Sequence, residues 1–135
     1  MSSGAEESLE FAPVFDKDGL IPAIVCDAAS DRVLMFAHMN REALELTQSS
    51  GVVHLWSRSR KALWKKGEQS GETLAVREIL VDCDQDVLLV KAEHQGKGAA
   101  CHTGRKSCFY RKLEGKRLSI VDDVRLYNPA DIYRR

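Results

Sequence analysis

Short apolar segments separated by polar turns dominate the first part of the chain. Ala23–Asp27 and Arg32–Ala37 are rich in aliphatic residues, and each is short enough to form one strand. Ser30 and Asp31 lie between them and favour a tight turn, because their side chains hydrogen-bond to nearby backbone amides. The pattern therefore predicts a β-hairpin at the start of the folded region.

The hydrophobic spacing changes to that of a helix over Arg41–Ser50. Asn40 precedes this segment as an N-cap, Glu42 places a carboxylate in the first turn, and Gly51 can adopt the left-handed conformation that ends many helices. This segment is the strongest helix prediction in the chain. The face that it would bury comprises Ala43, Leu44 and Thr47, with Leu46 at its edge.

Most of the remaining chain has the pattern of strands and loops. Strands are predicted over Val52–Ser57, Leu74–Val81, Val87–Ala92 and Ser107–Leu113. Loops are predicted over residues 58–72 and 96–104, and the pattern of residues 121–135 is ambiguous. Strands and helices do not alternate, which argues against a doubly wound parallel fold. The pattern predicts a strand-rich α+β fold, with a mixed or antiparallel sheet and one clear helix.

Length and composition indicate a single globular domain. The chain has 135 residues, of which 44% are hydrophobic and 30% are charged, as is usual for one compact unit. Residues 1–10 are small, polar and acidic, and they are predicted to form a disordered tail before a domain at residues 11–135. The 20 basic residues balance the 20 acidic ones. A polybasic nucleic-acid binder is therefore not expected.

No segment has the pattern of a membrane span or an export signal. The apolar run Ile21–Cys26 contains Pro22 and is far shorter than the ~20 residues that span a bilayer. Met1–Glu10 lacks the basic start and apolar stretch of a secretory signal. A reducing, cytoplasmic location is expected, where cysteines serve as metal ligands, nucleophiles or core thiols. Cys26, in an apolar segment, is expected to be a core thiol.

Three carboxylates alternate along Asp82, Asp84 and Asp86. In an extended chain they would point to one side and could bind a hard cation such as Mg²⁺ or Ca²⁺. An exposed acidic turn without an ion is the alternative. These residues and Glu93 also match ligand positions of an EF-hand loop, but Val87 stands where that loop requires glycine. An EF-hand is therefore not expected.

Cysteines at positions 83, 101 and 108 form a second candidate site. Three thiolates could hold zinc and leave its fourth position open for a water whose pKa falls towards ~7, as in catalytic zinc sites. His102, next to Cys101, could then move a proton. The alternative is that these cysteines are core residues, since no C-x-x-C motif is present.

Basic and aromatic residues are concentrated between Trp56 and Gly71. Five cations and two tryptophans occur in this segment. Arginine can bind phosphate in a bidentate manner and an indole can stack on a base, so the segment suits a nucleotide or single-stranded nucleic acid. A solvated basic loop with one tryptophan in the core is the alternative.

Together, these segments resemble the phosphoribosyl-AMP cyclohydrolase family of histidine biosynthesis. The resemblance covers residues 15–110, and its motifs occur in the same order as in the family. They are Asp18–Ile24, Val33–Asn40 with Glu42–Leu44, Trp56–Arg60, Leu63–Gly71, Asp82–Asp86 and Cys101–Phe109.

The resemblance implies a hydrolase that opens the adenine ring of phosphoribosyl-AMP between N1 and C6. It implies zinc on Cys101, Cys108 and the Cys83 of a partner subunit, and magnesium on the three aspartates. It further implies an intertwined, strand-rich homodimer. Zinc deaminases attack the same purine carbon, but their H-x-E…P-C-x-x-C signature is absent. His102 is then the candidate catalytic residue that moves a proton to N1.

Substrate contacts are inferred beside that resemblance. Arg58, Arg60 and Lys66 could hold the phosphate, and Trp56 or Trp64 could stack on a ring. The complete set of candidate substrate-binding residues is Trp56, Ser57, Arg58, Arg60, Trp64, Lys66, Glu68 and Ser70.

Four features depart from the family pattern, two of them being His38, where Tyr is common, and Cys26, where Gln is common. Glu72 stands where the family has Asn or His, and its carboxylate could repel an anionic substrate, bind a metal or face solvent. The segment Gln95–Ala100 is slightly longer than usual. The alternative function is a non-enzymatic, zinc-stabilised module that binds a nucleotide or single-stranded nucleic acid, with His102 closing the zinc site as fourth ligand.

Overall fold

The computed structural model describes residues 6–133 of the chain. Within these residues the chain forms eight strands, a ten-residue α-helix and a short 3-10 helix at Pro129–Asp131. In chain order the strands and the helix are β1 (Ile21–Asp27), β2 (Val33–Met39), α1 (Arg41–Ser50), β3 (His54–Ser57), β4 (Ala62–Lys65), β5 (Leu74–Val81), β6 (Leu88–His94), β7 (Arg111–Glu114) and β8 (Arg117–Ile120).

Strands β1 to β6 form a mixed sheet in the order β4-β3-β2-β1-β6-β5, and β7 pairs with β8. Strand β1 lies inside the sheet, antiparallel to β2 and parallel to β6. Five of its seven residues are buried, which explains why its sequence is apolar almost throughout instead of alternating. The prediction of a strand-rich α+β fold with a mixed sheet and a clear helix is confirmed.

The sheet curls so that its two ends meet. Val52, just before β3, forms an antiparallel bridge with Ala75 of β5, and the Val53 amide donates to the Leu74 carbonyl at 3.0 Å. The curl encloses the core, where burial stabilises the fold by about 1.5–3 kcal/mol per large side chain. Its fully buried members include Ile21, Leu34, Leu55, Leu88 and Val90.

Helix α1 begins and ends as predicted. The Asn40 Oδ1 atom accepts from the Ala43 amide at 2.8 Å, and Gly51 adopts φ +74° at the C-cap. Ala43, Leu44 and Thr47 form the buried face against the sheet. Both caps are formed by hydrogen bonds between residues close in sequence, and for this reason the sequence pattern alone locates the helix.

Other predictions were wrong in part. The hairpin of β1 and β2 is confirmed, but β4 lies in the segment predicted as a loop, because it pairs with β3 across a short turn. The strand predicted over Ser107–Leu113 begins only at Arg111. Before it, the Ser107 hydroxyl and the Cys108 amide bond to carbonyls of β2 instead of joining a strand. Strand β8 was not predicted, and its segment is largely exposed.

The N-terminal tail is described only in part. Residues 1–5 of the predicted tail lie outside the described residues, and residues 6–10 are exposed. The Glu10 carbonyl accepts from the Gln85 amide group at 3.1 Å, so this end lies beside the β5–β6 turn. The disorder of the tail stays a prediction. No helix among residues 6–133 is long and apolar enough to cross a membrane.

Candidate functional site

Two adjoining cavities contain all of the candidate substrate-binding residues. The first, of about 260 Å³, is lined by Arg60, Trp64, Lys66, Glu68 and Ser70 together with His102 and Cys108. The second, of about 570 Å³, is lined by Trp56, Ser57 and Arg58. Arg60 and Trp64 line both, so the two cavities form one continuous cleft.

Trp64 lies at the centre of this cleft. It projects from β4 opposite Leu55 of β3. The Lys66 ammonium lies 5.7 Å from the centre of an indole ring and the Arg60 guanidinium lies 6.0 Å from it. Such cations contact the electron-rich face of an aromatic ring favourably. The cleft therefore combines an aromatic surface with two positive charges, which suits an anionic ligand that carries a flat ring.

Lys66 is buried although it carries a charge. Its residue is 6% exposed, and burial lowers the pKa of its ammonium group. Gly67 follows it with φ +84°, and a Cβ there would lie 2.3 Å from the Glu72 backbone. Only glycine fits this turn, and the turn holds Lys66 against the cleft.

Cys101 and Cys108 lie together beside the cleft. The Cys108 thiol hydrogen-bonds to the Cys101 sulfur and lowers the pKa of Cys101 to about 5, while the same bond raises the pKa of Cys108. The Thr103 hydroxyl also donates to the Cys101 sulfur, at 3.1 Å. Two neighbouring cysteines of which one readily ionises are suited to bind a soft cation, because thiolates are the metal-binding form of cysteine.

The loop that carries these thiols is tied to β2. The buried Ser107 hydroxyl donates to the Val33 carbonyl at 2.7 Å, and the Cys108 amide donates to the Leu34 carbonyl at 2.7 Å. Within the loop, the Cys101 amide donates to the Arg105 carbonyl at 3.1 Å. These bonds fix the thiols relative to the sheet before any ligand binds.

Glu72 organises the start of the same loop. Its residue is 4% exposed, and its carboxylate accepts from the Lys97 amide at 3.0 Å and from the Gly98 and Ala99 amides at 2.9 Å each. A Cβ at Gly96 would lie 2.3 Å from a Glu72 carboxylate oxygen, so the loop backbone closes tightly over this side chain. The solvent-facing role considered for Glu72 is therefore wrong. The carboxylate binds the longer Gln95–Ala100 segment.

The three aspartates converge, but they do so in a turn between β5 and β6 and not along the extended segment that was predicted. Asp82, Asp84 and Asp86 each offer an oxygen within 4.8 Å of the others, and among residues 6–133 no other group of three His, Cys, Asp or Glu side chains does so. Hydrogen bonds with Asp84 and Asp82 raise the pKa of Asp86 to about 6. The group lies between two strands, β5 and β6, which agrees with the exclusion of an EF-hand.

Cys83 lies far from the other two candidate zinc ligands. It is exposed in the β5–β6 turn, whereas the loop of Cys101 and Cys108 follows the opposite end of β6. Strand β6 has seven residues, so these two ends are separated by roughly 20 Å. The three predicted zinc ligands do not come together within one copy of the chain.

Of the remaining candidates, His102 lines the cleft and Cys26 lies in the core. His102 is exposed and lies beside Tyr133, with ring centres 6.5 Å apart. Cys26 is buried in β1, and burial raises its pKa, as a core thiol requires. Sequence reasoning missed Tyr133 and His38, which both line the cleft. Neither belongs to a local pattern of polar residues that could have revealed it.

Comparison with known proteins identifies the family of the chain. The family model described as phosphoribosyl-AMP cyclohydrolase matches residues 35–110. The chain is 52% identical to a phosphoribosyl-AMP cyclohydrolase of Nitrobacter winogradskyi, over 98% of the chain and 94% of that protein. It is 53% identical to one of Rhizobium etli, over 97% of the chain and 90% of that protein. The chain therefore belongs to the phosphoribosyl-AMP cyclohydrolase family and is an enzyme of that family.

Proposed function

We propose that the protein hydrolyses phosphoribosyl-AMP in histidine biosynthesis, with zinc and magnesium, as a homodimer with shared metal sites. Water adds to C6 of the adenine ring, the C6–N1 bond breaks, and N1 takes up a proton. The cleft carries this proposal, because it places cations, an indole, a histidine and a thiol pair around one space.

Nucleotide binding is assigned to the basic and aromatic side of the cleft. Arg60 and Lys66 offer positive charge to phosphate, and Trp64 offers an aromatic face to the base. Lys66 is buried, and burial strengthens the attraction between its charge and a phosphate because less water screens it, whereas Arg60 is exposed. Arg58 in the adjoining cavity provides a further cation. These contacts would hold the purine ring near His102 and the thiols.

The thiol pair suits zinc. Cys101 and Cys108 are hydrogen-bonded to each other beside the cleft, and sulfur donors are the ligands that zinc prefers in such sites. When bound, zinc supplies a Lewis acid that lowers the pKa of water towards ~7. With Cys83 as third ligand the coordination position towards the cleft would stay open, as catalytic zinc sites require.

His102 is assigned the proton transfer. It is exposed in the cleft, next to Cys101 in sequence, and its ring meets the Tyr133 ring edge-on. An imidazole near neutral pH can take a proton from water and deliver it to N1.

The aspartate group is assigned to magnesium. Three carboxylates with oxygens within 4.8 Å of one another provide the oxygen ligands that Mg²⁺ prefers. They flank Cys83 in the same turn, so any partner that receives Cys83 also receives these carboxylates. An exposed acidic turn without an ion remains the alternative for this group.

The position of Cys83 supports a homodimer. Within one chain it is separated from the Cys101–Cys108 pair by the length of β6, roughly 20 Å. A second copy can supply it, because contacts across a two-fold axis are reciprocal: a turn that reaches the partner's cleft completes both sites at once.

The deciding experiment is turnover of phosphoribosyl-AMP by the purified protein with magnesium added. We expect turnover that zinc chelation abolishes and added zinc restores. Full activity with no zinc bound would refute the zinc assignment. A folded, zinc-loaded protein without turnover would favour the binding-module alternative. X-ray absorption showing three sulfurs and one nitrogen, with no water, would then support His102 as a closing ligand.

A further inference from the structure

The C-terminal segment 122–133 packs directly on the loop of Cys101 and Cys108. The Leu126 amide donates to the Gly104 carbonyl at 2.7 Å, and Arg105 forms an ion pair with Asp123 at 2.7 Å. A Cβ at Gly104 would lie 2.2 Å from the Tyr127 carbonyl oxygen. This segment lies beyond the residues that the family model matches, yet it forms part of the wall of the cleft.

Tyr127 links this segment to the cysteine loop from inside the protein. It is 8% exposed, and its hydroxyl donates to the Cys101 carbonyl at 3.3 Å. The same hydroxyl lies 3.3 Å from the Tyr133 hydroxyl. Tyr127 has a single phenolic hydrogen, and the hydrogen bond to the Cys101 carbonyl uses it. The Tyr133 hydroxyl must therefore donate in the second bond, and its own oxygen retains its capacity to accept.

The short 3-10 helix directs Tyr133 into the cleft. Asn128 caps this helix through the Ala130 amide at 3.0 Å, and the Tyr133 amide donates to the Pro129 carbonyl at 2.8 Å. Tyr133 then lines the same cavity as Lys66 and Cys108. It also lines an adjoining space of about 850 Å³ with Arg60 and His102. A half-buried aromatic ring with a free acceptor thus faces the place assigned to the nucleotide.

We propose that Tyr133 is a further substrate-binding residue of this enzyme. Its ring forms an apolar wall for the nucleotide beside His102, and its hydroxyl oxygen accepts a hydrogen bond from an N–H or O–H group of the bound nucleotide. This inference rests on the proposed function, because it assumes that the cleft holds the substrate.

The test compares the variants Tyr133→Phe and Tyr133→Ala with the wild-type protein. Loss of one hydrogen bond predicts a KM for phosphoribosyl-AMP raised about 3–10-fold in Tyr133→Phe. Loss of the ring as well predicts at least a ~10-fold increase in Tyr133→Ala. Zinc content and Tm should stay close to wild type in Tyr133→Phe. The matched control is Tyr110→Phe, because Tyr110 contacts Arg105 outside the cleft, and its KM should not change.

Two results separate this inference from the proposed function. Wild-type turnover together with an unchanged KM and kcat in Tyr133→Ala would overturn the role of Tyr133 and leave the function standing. A wild-type protein that leaves phosphoribosyl-AMP intact would refute the proposed function. Calorimetric titration of the wild-type and Tyr133→Ala proteins with AMP would then test whether Tyr133 binds the nucleotide. Weaker AMP binding by Tyr133→Ala supports the inference, and equal Kd values, or no binding by either protein, overturn it.

Discussion

The loop of Cys101 and Cys108 and the turn of Asp82–Asp86 differ sharply in how the chain holds them. The cysteine loop is held from three directions: by the Glu72 carboxylate, by carbonyls of β2 and by the C-terminal segment. The aspartate turn is exposed and is held by two sets of bonds: Asp82 accepts from the Asp86 and Val87 amides at 2.9 and 3.1 Å, and Gln85 hydrogen-bonds to the N-terminal segment. One region is preorganised, and the other is displayed at the surface.

This difference fits the proposed homodimer, in which the two regions would have complementary parts in a shared site. A preorganised thiol pair beside a cleft needs only a further ligand to bind zinc. In the proposed homodimer the exposed turn of the partner would offer that ligand, Cys83, together with the aspartates. A short turn between two strands can enter a partner without rearranging its own fold, because β5 and β6 support it from behind.

The largest expected effect comes from mixing inactive variants. Cys83→Ser and Cys101→Ser proteins should each lose turnover and bound zinc, because each loses a ligand of every site. An equimolar mixture of the two should recover about a quarter of wild-type activity, since half of its dimers are mixed and each mixed dimer has one complete site out of two. The measurement is turnover after co-refolding.

The matched control mixes Cys101→Ser with Cys108→Ser. Both changes damage the same half of the site, so no mixed dimer contains a complete site and activity should stay absent. Recovery in this control, or none in the first mixture despite proven subunit exchange, would contradict the division of the site between subunits.

A smaller effect is expected when the cysteine loop loses its support. Glu72→Gln places an amide group against backbone N–H donors, so the free energy of unfolding should fall by about 1.5–3 kcal/mol. Zinc affinity should fall by about tenfold or less, because the loop leads to Cys101. Urea unfolding and zinc competition with a chelator measure the two effects.

Glu78→Gln serves as the control for Glu72→Gln, because Glu78 is exposed on β5. Its free energy of unfolding and its zinc affinity should remain as in wild type. Faster hydrogen exchange confined to the amides of Lys97, Gly98 and Ala99 would show that the loop itself has loosened. Unchanged exchange there, despite lower stability, would argue against the supporting role.

The smallest structural effect is expected in the aspartate turn. Asp84→Asn removes one charge from a group of like charges without removing a backbone hydrogen bond of the turn. Tm should therefore stay unchanged or rise slightly in the absence of metal, because repulsion decreases. Calorimetry should show weaker magnesium binding than in wild type. A large fall in Tm would mean that this turn is organised more tightly than its exposure indicates.

Local signals in the sequence located much of the fold. The helix could be predicted because Asn40 and Gly51 cap it through bonds to residues close in sequence. Strand β4 could not, because its pairing with β3 is decided across a turn and its short apolar run is flanked by basic residues, Lys61 before it and Lys65 and Lys66 after it. The strand predicted from Ser107 was wrong for a similar reason, since the partner of Ser107 is Val33, far away in sequence.

The sequence by itself determined the chemistry available to this protein: a strand-rich domain, paired thiols, alternating carboxylates and a basic, aromatic segment. These follow from composition and short spacing, which depend on neighbours along the chain. Only the tertiary structure decided that Glu72 binds the cysteine loop, that Cys83 and the cysteine loop lie at opposite ends of β6, and that Tyr133 faces the cleft. Long-range packing and hydrogen bonding set these relations, and no local pattern encodes them.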